Sequence, residues 1–324
     1  MLHYETKQLS VPEIHKLLLG GVAPRPIALS STISADGINN LSPFSFFNAF
    51  GANPPIVAFS PSRRGKDAAL KDTYHNLIAT KECVIQAVTY SMVEQISLAS
   101  TEYAPEVDEF IKSGLTPIDS DLVKPKRVKE SPFQMECVLE EMKSFGNGGV
   151  SANIAVCRVV KFHVDEDLFT NGVIDPLKID LVARMSANFY SRAGAGVFEV
   201  EKPVGKKCIG YDQIPLHIRS SEIYSANDLG KFGNTESIPT EEEVNNFTDQ
   251  IRSEKIEGIE ISEEAFYRYE RLSDYRKMMK TALALVDNKI DNPKKLIELT
   301  AKKALSKNDH NFAWKAALYA GKIK

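Results

Sequence analysis

The chain has 324 residues, 43% hydrophobic and 26% charged, with a formal net charge of -3. This is an ordinary soluble globular composition, long enough for one large domain or two, and its slight acidic excess argues against a general nucleic-acid binder, so basic clusters have to be read locally. The four cysteines, Cys83, Cys137, Cys157 and Cys208, lie far apart with no CxxC pair, which excludes a zinc ribbon and a disulfide framework.

In chain order, the N-terminus lacks a basic stretch followed by an apolar core, and no 18-residue apolar run occurs, so the expectation is a cytoplasmic chain with no membrane segment. Ser10, with Pro12 in the first turn, starts a helix over residues 11–19 that Gly20 and Gly21 stop. The runs 26–33 and 41–47 flank Ala35-Asp36-Gly37 and predict a hairpin. After the Asn53-Pro54-Pro55 breaker a third strand is expected at 55–60.

The stretch that follows is the most informative in the chain. Arg63, Arg64, Lys66 and Lys71 crowd a short loop that also carries Ser60, Ser62, Gly65 and Thr73. Cationic forks, hydroxyls and free backbone N–H groups together can neutralise a phosphate dianion, although a solvated loop with ordinary surface charge would read the same from composition. A helix is expected at 73–80, with Asp72 or Thr73 as its N-cap.

A strand at 83–89 and helices at 91–100 and 105–112 come next, then two long strands, 133–143 and 152–164, joined by Gly146-Asn147-Gly148-Gly149. These glycines have no βαβ surroundings, so they read as a hairpin loop rather than a dinucleotide fingerprint. Asp175-Pro176 predicts a helix to about residue 183, and residues 198–202 a last strand. Cys83, Cys137 and Cys157 sit in strand-like apolar runs and are expected as buried free thiols, which suits a reducing cytosol.

Composition changes near Ser237, giving expected domains of 1–237 and 238–324. Beyond it lie about four helices, marked by a capping box at Thr240 and Glu243, by Ser262 before a long apolar-striped run, by Asn292-Pro293 and by Gly321. The six histidines are scattered without ligand spacing, so no metal site is predicted, and no GxSxG elbow is present.

Several pieces, in order, carry a family resemblance: PRPIALSSTISADG, NLSPFSFFNAF, PPIVAFSPSRR, KDTYHN, SLASTEYAPEVDEF, ESPFQMECVL and IDPLKIDLVARMSANFY. Over roughly residues 10–200 the chain resembles the flavin reductase-like family, the FMN-binding split β-barrels that include flavoredoxins and NAD(P)H:flavin oxidoreductases. The resemblance implies a mainly β fold with helices, an FMN-binding split β-barrel, here followed by an all-helical C-terminal extension. It implies a flavin held outside the barrel, a homodimer that completes each site, and hydride passing from NADH or NADPH to FMN and on to a small-molecule or protein acceptor. By the same resemblance, Ser60, Arg63, Arg64, Lys71, Asp72 and Thr73 serve the phosphate, with Arg63 and Lys71 foremost. Ser45, Phe46, Phe47 and Asn48 meet the ring edge, and Arg184 and Tyr190 approach the flavin or the nicotinamide. Ser31 and Thr32 either bond the ribityl chain or phosphate, or sit on a solvated hairpin face. Because the cofactor carries the chemistry, no catalytic acid, base or nucleophile is named. Two alternatives stand beside this: a flavoredoxin-like electron carrier that would use the same residues, and an interaction protein with structural or no flavin.

Overall fold

The computed structural model describes residues 1–288 and 292–323, and divides into two compact units, Met1–Glu199 and Val200–Lys324. The composition change near Ser237 thus lies inside the second unit, whose first helices, Leu216–Arg219 and Ala226–Gly233, precede it.

In the first unit the helix Val11–Gly21 opens with Ser10 and Glu13 in a reciprocal capping box. The strands β1 (Ala28–Ile33), β2 (Asn39–Phe44), β3 (Phe47–Ala52), β4 (Pro55–Phe59), β5 (Glu82–Gln86), β6 (Phe133–Phe145) and β7 (Ala152–Val164) form one antiparallel sheet in the order β2-β1-β5-β6-β7-β4-β3. The edge strands β2 and β3 are consecutive in the chain, separated only by Ser45 and Phe46. Three peptide steps span at most about 11 Å, so the two edges must meet at that end and the sheet curls into a barrel split along one seam.

The barrel's interior is set by period-two alternation. Along β7, Asn153, Ala155, Cys157 and Val159 are buried, cleaner than the sequence suggested, and two irregularities in the β6–β7 pairing, one at Val160 of β7 and one at Glu140 of β6, absorb the change of register. The interior cluster contains Ala28, Phe44, Phe59, Ile85 and the three thiols Cys83, Cys137 and Cys157. Neighbouring thiols first, and burial with them, push the Cys83 thiol well above its usual value, so it behaves as a small apolar filler. Leu29 and Leu41 face the opposite side, under Met92, Ile96, Phe110 and Val128, so β1 is covered on both faces.

Three sequence expectations are corrected. Residues 47–52 form a separate strand, paired with β4 across Asn53-Pro54. The expected helix at 175–183 is a turn followed by a short strand, β8 (Val182–Arg184), because Val182 N–H donates to the Val88 carbonyl at 3.1 Å and Thr89 bridges Leu181. Residues 198–202 join no sheet and form no strand.

The second unit is helical among its described residues. Glu263–Arg271, Tyr275–Asp287, Pro293–Ser306 and His310–Ala320 pack in succession, with Glu241–Ser253 against them. Their core includes Phe232, Phe266, Met278, Ile297 and Trp314, and Phe232 meets Trp314 edge-on at 4.9 Å. The long run after Ser262 breaks at Ser273, whose φ of 58 ends one helix so that Asp274 can cap the next.

Candidate functional site at the barrel seam

The seam begins where β2 hands over to β3. Phe46 gives its carbonyl to the N–H of Ser60 at 2.9 Å, and Phe47 and Asn48 pair with Phe59 and Ala58. Beyond Phe47 every residue of β3 is exposed, and its outer edge presents unpaired backbone donors and acceptors. Asn48 turns its side-chain oxygen to the N–H of Ala49 at 2.8 Å. Beside β3 opens an apolar cavity of about 410 Å³, bounded by Ile27, Phe47, Val57, Phe133, Phe162 and Val182.

Arg25 organises the approach to the seam. It is 4% exposed, and its guanidinium donates to the carbonyls of Leu19 (2.6 Å), Val22 (2.8 Å) and Met185 (2.8 Å) and lies 3.5 Å from Ser45 Oγ. Its backbone pairs with Arg184 in both directions, at 3.0 and 2.9 Å. Arg184 has its guanidinium 4.5 Å from the centre of the Tyr190 ring, while it is Arg25 that lies 5.9 Å from the centre of the Phe46 ring. Burial, then the charge of Arg184, lowers the Arg25 pKa from its ordinary value.

The basic loop starts at the seam, since Ser60 is the residue bonded to Phe46. Ser60 Oγ lies 3.0 Å from Ser62 Oγ and accepts from the N–H of Asn153, whose amide also donates to the Pro61 carbonyl at 3.1 Å. Arg63 turns back to the Ala68 carbonyl at 2.8 Å, while Arg64 reaches Asp72 at 3.5 Å. Nε of both arginines is buried without a partner, a costly state for a cationic donor and one that an anion would relieve. Lys71 is the N-cap residue of the helix Asp72–Thr80, so Asp72 stands in its first turn, where a negative charge is favoured. Arg64, Lys71, Asp72 and Thr73 line one cleft with Asn40 and Ser42. Glu109 closes it; burial, reinforced by Asp72 and Asp108 against the N–H of Leu41, raises its carboxyl pKa.

Of the expected residues, the structure brings together Ser45 to Asn48 and Ser60 at the seam, and Arg64, Lys71, Asp72 and Thr73 in the cleft, while Arg184, stacked on Tyr190, is joined to the seam only through its backbone pairing with Arg25. Arg63 closes its own loop instead of lining that cleft. Ser31 and Thr32 are not on a solvated face. Ser31 Oγ donates to the Lys126 carbonyl at 2.5 Å, and Thr32 Oγ1 accepts from Asn40 and Asn76, because β1 is buried on both sides. Asn40 also donates to Thr73 Oγ1 at 3.0 Å, so Thr32 supports the cleft from beneath. Sequence reasoning missed Arg25 and Asn153; the only local signal for Arg25 is its place between Pro24 and Pro26.

Asp121, Glu136 and His163 bring ligand atoms within 4.8 Å of one another. Glu136, however, already accepts from the N–H groups of Asp121, Leu122 and Val123 and lies 2.6 Å from His163 Nε2, which makes it the anchor of that loop. Among the described residues no helix is long and apolar enough to cross a membrane.

A split barrel with a cationic loop opening from its seam is the class that fold and site define. A family model, the flavin reductase like domain, matches residues 20–178. An uncharacterized protein from Aquifex aeolicus is 44% identical over 193 residues, 59% of this chain and 96% of the relative. Nitrilotriacetate monooxygenase component B from Bacillus cereus superposes with a TM-score of 0.58 at 32% identity, covering 62% of this chain and 98% of that one. A protein described as a flavin reductase with split barrel domain, from Shewanella frigidimarina, gives a TM-score of 0.54 at 25% identity over 62% and 100%. The chain belongs to the flavin reductase-like family, which places it among flavin-related oxidoreductases.

Proposed function

We propose that the barrel unit binds FMN along its seam and acts as an NAD(P)H-dependent flavin oxidoreductase. The observation that carries this reading is the hydrogen bond from Ser60 to Phe46, which joins the free edge of β3 to a loop holding two buried, unpartnered guanidinium nitrogens. One end of the seam thus offers backbone donors and acceptors for a heteroaromatic edge, and the next few residues offer cations for a phosphate. Arg64, Lys71 and Thr73 would hold the phosphate with Arg63, Ser60 and Asp72 shaping the loop; Phe46, Phe47 and Asn48 would meet the ring, and Arg184 and Tyr190 would flank it. The bound flavin would supply hydride acceptance from the nicotinamide and electron transfer onward. The protein's part is to orient the two rings and keep the apolar side of the site dry.

A homodimer fits the same surface. Phe50 is 69% and Phe162 50% exposed beside the open edge of β3, an area that a second copy would cover. The acceptor would be a small molecule or a protein, and the unpaired buried thiols suit a cytoplasmic location.

The test is an absorbance spectrum of purified protein, followed anaerobically on adding NADH and then NADPH. Flavin bands that bleach within seconds support the reductase and identify the donor. Bands that persist overturn the reductase step in favour of an electron carrier, and colourless protein that fails to bind added FMN overturns the flavin site itself.

A further inference from the structure

The basic loop closes on itself through Arg63, Arg64, Ala68 and Ala69, and a segment some eighty residues later fixes where it sits. The N–H of Arg63 donates to the Ser151 carbonyl at 3.0 Å, and the N–H of Val150 donates to the Arg63 carbonyl at 3.2 Å. Asn153 adds its ties to Ser60 and Pro61. Between them Gly149 sits flush against the loop: a Cβ placed there would lie 2.7 Å from the Gly65 carbonyl oxygen and 3.4 Å from that of Arg64. Both are backbone atoms, so any side chain at 149 must push apart the hairpin loop and the stretch that carries the two arginines. Val150 has a φ of 63, a conformation that a β-branched residue adopts only where its surroundings impose it. The hairpin loop between β6 and β7 is therefore pressed into a strained shape at the point where it touches the cationic loop.

We propose that Gly149 is a positioning residue, which sets the cationic loop at the height where it receives the phosphate and so makes the site prefer FMN to riboflavin. This rests on the flavin reading above. Gly149 touches no ligand itself; it acts through the backbone of Arg64 and Gly65.

The experiment measures binding of FMN and of riboflavin to full-length Gly149→Ala by flavin fluorescence, with thermal unfolding on the same samples. The expected result is FMN affinity at least tenfold weaker with riboflavin affinity within twofold of wild type. Gly148→Ala, the matched control in the same hairpin loop whose Cβ would point into open space, should bind both as wild type does. Should Gly149→Ala fail to fold, Asn153→Ala, which removes the side-chain tie without pushing on the backbone, should still weaken FMN threefold or more and spare riboflavin. An equal loss of both ligands, or no loss of FMN, overturns the positioning role. The double variant Arg64→Ala with Lys71→Ala separates the two readings: if it too leaves the FMN preference intact, the phosphate assignment has failed; if it abolishes the preference while Gly149→Ala does not, only the role of Gly149 has.

Discussion

At the residue scale two buried charges each hold several backbone groups together. Removing the Arg25 side chain strands the carbonyls of Leu19, Val22 and Met185, each a desolvated acceptor. Arg25→Ala should cost about 2–4 kcal/mol in urea unfolding, and Arg25→Lys should not restore it, since one ammonium cannot reach the same fan of acceptors. Glu136 has a side chain 0% exposed. Burial alone would raise its pKa from the ordinary 4.5, but donation from Asp121 N–H, His163 and Leu122 outweighs it, and the net shift is downward. A carboxyl depressed on folding stabilises fully above its ordinary value and loses that contribution as pH falls through the folded value. Between pH 7 and pH 3, wild type should therefore show a fall in Tm below about pH 4.5 that is shallower in Glu136→Gln. The variant should also be less stable at neutral pH, because an amide NH₂ would face a donor.

At the scale of elements, β3 is the piece whose behaviour separates a monomer from an assembly. It is an edge strand with one paired side, and Phe50 projects from it into solvent. If a second copy covers this strand, Phe50→Glu should shift the sedimentation coefficient from dimer to monomer and weaken FMN binding with it; a wild-type monomer in the same run would remove the dimer from the proposal. The helices of the second unit obey local rules. Thr240 Oγ1 receives the N–H of Glu243, whose carboxylate returns to the Thr240 N–H at 2.7 Å. Thr240→Ala should lower the stability of the helical unit by about 1 kcal/mol, read from its chemical denaturation, with no effect on flavin affinity.

For the whole molecule, the division at Glu199 and Val200 gives a sharper truncation than the composition change does. Cutting near Ser237 would leave Leu216–Arg219 and Ala226–Gly233 without Trp314 and the rest of their core. A chain ending at Glu199 keeps the barrel intact and approximates the length of the relatives it matches. It should fold and bind FMN with affinity within a few fold of the full chain, measured by fluorescence titration. Loss of flavin on this truncation would assign the helical unit a part in the site.

Much of this molecule is written in short-range chemistry. The helix start at Ser10, the capping box at Thr240, the Ser262 cap, the Pro293 start and the long strands β6 and β7 depend on residues a few places apart, so they were legible in the sequence, and the crowd of Arg63, Arg64 and Lys71 marked the cationic loop. What was not legible depends on partners distant in the chain. The turn at 175–178 and the strand β8 replace a helix because Val88 and Thr89 capture residues 181 and 182. Ser31 and Thr32 point inward because both faces of β1 are covered, a condition that alternation cannot reveal. Arg63 and Arg64 are neighbours with the same side chain, and only the packing of residues 149–153 against their loop decides which one lines the cleft. Local propensity chose most of the elements; closure of the sheet at Ser45 and Phe46 chose where the candidate site would be.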